Sequence, residues 1–514
     1  MKRYLTSFFI ILFPFLFSAA GEQTPYDIIP MPQKITIDKK GRTLNVDAAT
    51  AIVDKLNADI INPEGWRITV DKKGITVEGS TEAGIFYGHQ ALRQILVPLS
   101  SPEEGIDAPK SNEAPSGAVG VASLPYATIE STPRFAYRGM HLDICRHFFP
   151  KEVVKQYIDM LALHGMNTLH WHLSDDQGWR IEIKKWPKLT EIGAWRQRTV
   201  IGRNMGLYDH TVHGGFYTQD DIREVVDYAA KRHITIIPEI DMPGHMVAAV
   251  TAYPELGCTG GPYEVWPDWG VSDDILCGGN PKVYQFLTDI IDELTELFPS
   301  TIIHLGGDEA PKVRWKACPR CQQKIRELGL KNEDQLQGYM VREMEKVLAA
   351  KGRRIMGWDE IMYCDVPSTA IIMNWRDWKG VDDPAKRGFD VVRTPNSTLY
   401  FDFYQIPSSD WTNTTLIGGY SPLEKVYNYD PTPETLTDEE RAHVIGVQAN
   451  LWTEYIAYPE LIEYQVLPRM AALAEVQWAD AGQKDYDAFL RRLPRLLSIY
   501  DQQGWQYCRA ALKK

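Results

Sequence analysis

The sequence has no surplus of basic residues and no run of more than two consecutive basic residues, such as Lys2-Arg3. Acidic residues outnumber basic ones by 68 to 55 in a chain of 514 residues, which gives a formal charge of −13. Proteins that bind nucleic acid rely on Lys and Arg contacts to phosphates, and the binding domain is usually basic. The composition therefore argues against a nucleic-acid partner.

Long apolar segments are also lacking, except for one at the N-terminus. Lys2-Arg3, the apolar residues 8–17 and Ser18-Ala19-Ala20 follow each other in the order of a secretory signal peptide. A membrane anchor is the alternative, but a membrane-spanning helix needs about 20 apolar residues. We expect residues 1–20 to be a signal peptide and the mature chain to be exported, either periplasmic or extracellular, with no membrane span after signal removal.

Cysteine is scarce, and its odd count of seven leaves at least one thiol without a disulfide partner in the chain. Cys258 and Cys277 bracket a loop rich in glycine, proline and tryptophan. Because export permits disulfides, we predict that these two are bonded to each other. Cys318-Pro-Arg-Cys321 is half of a zinc-site pattern, but no second CxxC or suitable pair of histidines accompanies it. We expect a local disulfide or two free thiols there instead.

The pattern of apolar residues predicts a small first domain over residues 21–130. Residues 35–37, 66–70 and 75–77 alternate like strands of a half-exposed antiparallel sheet. Residues 81–96 follow with apolar residues at helical spacing. The segment 100–120 is rich in Pro, Gly, Ser and Ala and is predicted to be a surface loop. This domain is therefore expected to be α+β, and we find no catalytic group of residues in its sequence.

Residues 131–514 show short apolar strands that alternate with helical patterns. This alternation is typical of an α/β fold, and eight strands mostly followed by helices predict a (β/α)8 TIM barrel as the catalytic domain. The strands are predicted at 139–145, 168–174, 235–241, 301–306, 354–359, 370–375, 390–394 and 444–451. The clearest helices are predicted at 151–164, at 218–232 with a capping box, and at 282–298, 333–350 and 460–478.

The fourth predicted strand ends in Gly306-Gly307-Asp308-Glu309. Adjacent carboxylates repel, and burial raises the pKa of the less solvated one, so such a pair favours one acid and one anion. Glycoside hydrolysis needs this division between two carboxyl groups. The alternative is structural, with Asp308 as the N-cap of a helix and Glu309 in its first turn.

Seven of the eight predicted strands end in a charged or aromatic cluster, at the face where barrel enzymes carry their active sites. One cluster, His170-Trp171-His172, also fits a metal-dependent amidohydrolase in which His245 and His304 supply further ligands. Tryptophans follow three other strands, either as caps on the barrel core or as walls of an apolar pocket around a sugar ring. These are Trp358, Trp375 and Trp452.

Several of these runs together resemble glycoside hydrolase family 20, the β-N-acetylhexosaminidases. The resemblance covers the whole barrel and extends to the first domain. It rests on 142–148 (LDICRHF), 170–180 (HWHLSDDQGWR), 238–245 (PEIDMPGH), 304–309 (HLGGDE), 357–360 (GWDE) and 450–454 (NLWTE). Two departures are Cys145, where a small polar residue is frequent, and a long segment at 253–280.

The resemblance implies a role for each predicted site residue. Glu309 would be the general acid and base, and Asp308 would orient the substrate's 2-acetamido group, which itself attacks the anomeric carbon. Arg146, Asp402 and Glu454 would bind sugar hydroxyls, and Tyr400 the acetamido oxygen. Asp175 and His245 would lie behind the acid and tune it. No metal or organic cofactor is implied.

The expected partner is a glycan or glycoconjugate with a terminal N-acetylhexosamine. Lacto-N-biosidase-like specificity is an alternative within the same chemistry. A non-catalytic glycan-binding protein on a decayed barrel is a third possibility, but it predicts that the acid or the orienting residue is missing. Both Asp308 and Glu309 are present.

Overall fold

The computed structural model describes residues 24–98, 122–377, 381–407 and 415–512. The predicted signal peptide at 1–20 lies outside the described residues, as does the loop predicted at 100–120. In the part of the chain that is described, no helix is both long and apolar enough to cross a membrane.

Eight parallel strands close into a barrel, in which the eighth strand pairs with the first. The predicted barrel is therefore confirmed, and every strand ends one or two residues before its predicted end. The residues beyond each strand leave the sheet and carry polar side chains to one face. In chain order, the strands are Tyr137–Asp143, Thr168–His172, Thr235–Glu239, Ile302–His304, Arg354–Trp358, Ile371–Asn374, Asp390–Arg393 and Val444–Ala449.

Helices surround the barrel, and four of the five predicted ones are confirmed. The fifth prediction, one helix over 460–478, is wrong because Pro468 has no amide N–H to continue the helix. Two helices form there. The helices of this domain are Lys151–Leu163, Lys188–Glu191, Gln219–Ala230, Val247–Ala252, Pro281–Leu297, Val313–Ala317, Pro319–Glu327, Glu333–Ala350, Asn396–Leu399, Leu423–Asn428, Asp438–Ala442, Pro459–Val466, Arg469–Trp478 and Tyr486–Gln503. The predicted capping box forms at Thr218, which exchanges hydrogen bonds with Asp221.

The first domain is a five-stranded sheet covered by the helix Glu82–Leu96. The sheet is mixed, not antiparallel throughout as predicted, because Ile52–Leu56 pairs in parallel with Gly74–Gly79. All five residues of that edge strand are exposed, so it has no apolar alternation that the sequence could reveal. The strands in sheet order are Lys34–Ile37, Ala127–Ser131, Trp66–Asp71, Gly74–Gly79 and Ile52–Leu56. A separate pair joins Thr43–Val46 and Ala122–Pro125.

The two domains meet near the start of the first barrel strand. The guanidinium of Arg138 is fully buried there and binds both carboxylate oxygens of Glu64, at 2.8 and 3.0 Å. This contact lies at the N-terminal end of the strands, opposite the face on which the polar clusters gather. The first domain therefore contacts the barrel at this end, and none of its described residues lines the cavity at the opposite end.

The predicted disulfide is wrong, since all seven cysteines, each within the described residues, are free thiols. Cys258 and Cys277 instead lie together with the two cysteines of the CxxC motif. The four sulfur atoms are all within 4.8 Å of one another.

Candidate active site

A cavity of about 240 Å³ opens at the C-terminal ends of the barrel strands. This volume is below the usual range of about 300–1,000 Å³ for pockets that hold drug-sized ligands. A single sugar ring suits the space better than an oligosaccharide. All eleven predicted site residues line it, namely Arg146, Asp175, His245, Asp308, Glu309, Trp358, Trp375, Tyr400, Asp402, Trp452 and Glu454.

Beneath the cavity, a buried carboxylate organises the histidines that suggested a metal centre. Four nitrogens lie within 3.0 Å of the oxygens of Glu239, and they belong to His170, His172, His304 and Trp358. Burial raises the pKa of Glu239, but the histidines hold it well below its usual range. Two of these contacts are hydrogen bonds, from His172 Nδ1 and Trp358 Nε1, whereas His170 Nε2 has no hydrogen-bond partner among the described residues. His245 Nδ1 lies 3.1 Å from Asp175 Oδ1 and does not join this cluster, so the ligand set of the amidohydrolase alternative, in which His245 takes part, does not form.

The turn that carries the two adjacent carboxylates depends on its glycines. Gly306 and Gly307 have φ of +60° and +98°, which glycine adopts without strain. The amide of Gly307 donates to Asp241 Oδ1 at 3.0 Å. A Cβ on Gly306 would lie 1.8 Å from that same oxygen. The next helix begins only at Val313, so the alternative in which Asp308 caps a helix is wrong.

Asp308 points into the cavity with one oxygen unused. Its Oδ1 is buried and has no hydrogen-bond partner among the described residues. Its Oδ2 lies 3.7 Å from His245 Nε2, and His245 Nδ1 lies 3.1 Å from Asp175 Oδ1. Burial and the nearby charge of Asp241 raise the pKa of Asp308 well above its usual range, while His245 opposes that shift. Burial also raises the pKa of Asp241, to about 7.

Glu309 is exposed at the rim of the cavity and has a φ of +44°. The electrostatic argument from sequence expects the acid to be the more buried member of the pair, but in this structure that member is Asp308, whose side chain is 13% exposed.

Arg146 joins three carboxylates at one side of the cavity. Its guanidinium lies 3.0 Å from Asp175 Oδ2, 3.2 Å from Asp143 Oδ2 and 3.7 Å from Glu454 Oε1. Burial lowers the pKa of Arg146, but these carboxylates raise it well above its usual range. Asp175 is held by Arg146, His172 and His245 together, so it positions these groups and has no free oxygen for a ligand.

Asp402 is the second carboxylate with unused oxygens. It is 4% exposed, and neither oxygen has a partner among the described residues. Buried polar atoms in native proteins are nearly always hydrogen-bonded, so such an orphaned pair marks a position for a ligand's donors. Glu454 lies across from it, half-buried beside Arg146. Both carboxylates line the cavity, where their oxygens can accept hydrogen bonds.

Aromatic rings form the apolar part of the cavity. Trp358 is 1% exposed and packs against the barrel core, and it also lines the cavity. This tryptophan therefore both caps the core and forms part of the pocket wall. Trp375 and Trp452 are half-buried and stand at the sides. Tyr400 stacks with Trp375 at 6.4 Å between ring centroids.

Five further residues line the cavity that were not among the predicted site residues. Asp241 and His172 lie in the polar clusters that follow the third and second predicted strands. Their position at a strand end could therefore have identified them as cavity residues. Asn396, Phe403 and Ile417 come from the irregular segment after the seventh strand, where no motif marks them.

A barrel that presents adjacent carboxylates in a cavity of this size, among aromatic walls, has the arrangement of a glycoside hydrolase. Family models match two parts of the chain. The model for the catalytic domain of glycosyl hydrolase family 20 matches residues 135–481, and the model for domain 2 of that family matches residues 40–130. The chain belongs to glycosyl hydrolase family 20, as its motifs predicted.

Individual relatives and structures agree with the family. A beta-hexosaminidase of Porphyromonas gingivalis is 42% identical over 448 residues, which are 87% of this chain and 55% of that protein. One of Akkermansia muciniphila is 31% identical over 489 residues, covering 93% of this chain and 91% of that protein. The structure of a family 20 exo beta-N-acetylglucosaminidase from Vibrio harveyi, in complex with N-acetylglucosamine, has a TM-score of 0.81 at 30% identity, covering 96% of this chain and 80% of that one. This chain thus spans little more than half of the Porphyromonas relative.

Proposed function

We propose that the protein is an exo-acting, retaining β-N-acetylhexosaminidase that releases terminal β-linked GlcNAc or GalNAc from glycans. The observation that carries this proposal is the buried, unpartnered Oδ1 of Asp308, an acceptor in place for the N–H of a 2-acetamido group. The names of the relatives and the ligand of the Vibrio harveyi structure support the same substrate class.

In the proposed reaction, the acetamido oxygen of the substrate attacks C1 from within the same sugar. Because the nucleophile is held next to C1, a bimolecular attack becomes an intramolecular one. Asp308 as an anion accepts the acetamido N–H and stabilises the positive charge that develops on that nitrogen. Its contact to His245, which Asp175 holds in place, supports the anionic form.

Glu309 is proposed to transfer the protons of both steps. It first protonates the glycosidic oxygen as the bond to C1 breaks, and then takes a proton from the water that opens the cyclic intermediate. Its exposed position at the rim of the cavity leaves it accessible to a leaving group and to water, which supports this role. The two attacks on C1 occur from opposite faces, so the sugar keeps its configuration.

Recognition of the sugar is assigned to polar groups that line the cavity and to the aromatic walls. Asp402 and Glu454 accept from hydroxyl groups, and Arg146 donates to one from between its carboxylate partners. Tyr400 donates to the acetamido oxygen. Trp375 and Trp452 pack against the apolar faces of the ring.

A lacto-N-biosidase removes a disaccharide. The size of the cavity instead favours the removal of one sugar at a time. A panel of β-linked aryl glycosides of GlcNAc, GalNAc and galactosyl-N-acetylglucosamine distinguishes these activities. We expect turnover of the two monosaccharides and none of the disaccharide. Release of an intact disaccharide, without turnover of the GlcNAc glycoside, would overturn the proposal.

Export remains part of the proposal, supported by the order of charged, apolar and small residues in 1–20. Cell fractionation tests it, together with N-terminal sequencing of the mature protein. We expect activity in the periplasmic or extracellular fraction and an N-terminus near Gly21. A cytoplasmic protein that retains residues 1–20 would contradict it.

A further inference from the structure

Four cysteines from two different loops meet behind the active site. Cys258 and Cys277 belong to the long segment after the third barrel strand. Cys318 and Cys321 stand at the start of the helix Pro319–Glu327, in the loop after the fourth strand. Cys277, Cys318 and Cys321 are at most 4% exposed, and Cys258 is half-buried. We propose that these four cysteines bind a structural zinc ion.

The spacing of the sulfur atoms is that of a metal site. The Sγ–Sγ distances are 3.8 Å from Cys258 to Cys321, 3.6 Å from Cys277 to Cys321 and 3.7 Å from Cys277 to Cys318. Zinc binds thiolates tetrahedrally at about 2.3 Å, which places neighbouring sulfurs roughly 3.8 Å apart. The donor set, four cysteines with one CxxC, is one of the usual sets for structural zinc.

The same distances argue against two disulfides. In a disulfide the sulfur atoms are about 2.0 Å apart, and each cysteine has one partner. Here the Sγ of Cys277 lies 3.7 Å from that of Cys318 and 3.6 Å from that of Cys321, and the Sγ of Cys321 lies 3.8 Å from that of Cys258, so each of these two cysteines has two near neighbours. The sulfurs are therefore arranged around a common centre and not in pairs.

The surroundings fit a buried, negatively charged metal–thiolate centre. One zinc ion and four thiolates carry a net charge of −2. Arg320 lies between two of the cysteines in sequence, and its guanidinium donates to the carbonyl of Gly257 at 2.8 Å, next to Cys258. Gly279 allows the two loops to touch, because a Cβ there would lie 2.2 Å from the carbonyl carbon of Arg320.

The position of the centre connects it to the proposed active site. The helix Val313–Ala317 runs from the turn of Asp308 and Glu309 to Cys318. That helix is fixed to the long segment by Trp315 Nε1, which donates to the carbonyl of Leu276 at 2.8 Å. An ion pair adds to this, with Arg314 Nε 2.7 Å from Asp274 Oδ1. Zinc at the end of the helix would hold the loop of the catalytic pair in place without taking part in the reaction.

Elemental analysis of the full chain tests the proposal. The protein is expressed with added zinc, purified without chelator and analysed for metals and for thiols after denaturation. We expect one zinc per chain and alkylation of all seven cysteines. Cobalt introduced in place of zinc should show thiolate-to-cobalt charge transfer and the visible bands of a tetrahedral site.

Cysteine variants test whether the bound metal depends on these four cysteines. Cys318→Ser with Cys321→Ser should lose the metal and the cobalt bands and lower the Tm. Cys508→Ser is the matched control and should keep both the metal and the cobalt bands, since Cys508 is equally buried but lies outside the cysteine cluster, with its thiol donating to the Tyr464 hydroxyl at 3.1 Å. If the double variant does not fold, the metal content and cobalt spectrum of the unaltered protein still decide the question.

Three results would overturn the proposal. The first is two disulfides among these four cysteines, seen as their failure to alkylate under denaturing, non-reducing conditions. The second is four free thiols that take up no zinc when the reduced protein is titrated with it. The third is an equimolar content of iron with no zinc, which would assign the site to another metal.

Discussion

His245 Nε2 lies 3.7 Å from Asp308 Oδ2, while the opposite nitrogen of the same ring lies 3.1 Å from Asp175. The ring thus stands between two carboxylates, one inside the protein and one at the cavity. Burial lowers the pKa of His245, but the charges of Asp175 and Asp308 raise it well above its usual range. A cationic His245 would keep Asp308 anionic and correctly oriented during the reaction.

This contact predicts the effect of His245→Gln. We expect kcat to fall on the order of 100-fold, the size of losing one electrostatic stabiliser, with little change in KM. His89→Gln is the matched control, because His89 and Asp54 form a similar pair at 2.7 Å on the first domain. Steady-state kinetics on an aryl N-acetylglucosaminide measures both. An unchanged kcat in His245→Gln would show that the histidine does not act on Asp308.

The pH dependence follows from the pair Asp308 and Asp241. The active form needs Asp308 as an anion, and burial with the charge of Asp241 raises its pKa. Asp241→Asn removes that charge but keeps an acceptor for the amide of Gly307. The pKa of Asp308 should therefore fall, and the acidic limb of kcat/KM should move to lower pH. An acidic limb that stays at the same pH, or moves to higher pH, would show that the charge of Asp241 does not raise the pKa of Asp308.

Acid catalysis by Glu309 predicts a dependence on the leaving group. Glu309→Gln cannot protonate the departing oxygen, so poor leaving groups should lose far more rate than activated phenols. The rate is measured for a series of aryl glycosides whose phenol leaving groups have increasing pKa. The logarithm of the rate should fall more steeply with phenol pKa for Glu309→Gln than for the unaltered protein. Glu264→Gln is the control, because Glu264 is exposed, forms an ion pair with Arg198 and does not line the cavity. Equal losses across the series would contradict the assignment.

The two unused oxygens of Asp402 predict a loss of substrate recognition. Asp402→Asn keeps the shape of the side chain but removes the charge and one acceptor. Hydrogen bonds to charged groups contribute about 1.5–3 kcal/mol each, so kcat/KM should fall about 10- to 100-fold. Asp480→Asn, at an exposed position, should have no effect. Unchanged kcat/KM in Asp402→Asn would show that the sugar does not reach this carboxylate.

The sequence revealed most of the barrel and the lining of its cavity, because both depend on local patterns. A buried strand such as Thr235–Glu239 is a short apolar run, and polar residues just after it mark the functional face. The edge strand Ile52–Leu56 was missed because its exposed residues have no such pattern. The break at Pro468 was visible as a proline, but the helical spacing on both sides suggested one continuous helix.

Features that depend on distant parts of the chain were predicted less well. The cysteines of the proposed zinc site come from two loops, and neither loop alone contains a complete motif. The relative burial of Asp308 and Glu309 was also not apparent, since it depends on Asp241 and the way the turn enters the cavity. The local sequence pattern identified Asp308 and Glu309 as the pair of carboxylates in the cavity. It did not indicate how exposed each one is.

The central claim is that the substrate's own acetamido oxygen attacks C1, with Asp308 holding that group. It is tested most directly by rates for substrates with mono-, di- and trifluorinated N-acetyl groups and one leaving group. Fluorine withdraws electrons from the carbonyl oxygen and weakens it as a nucleophile. We predict a steep fall in kcat/KM along the series, together with a large loss of activity in Asp308→Asn. A flat series, or a sugar trapped covalently on a carboxylate of the protein, would show that an enzyme nucleophile attacks instead.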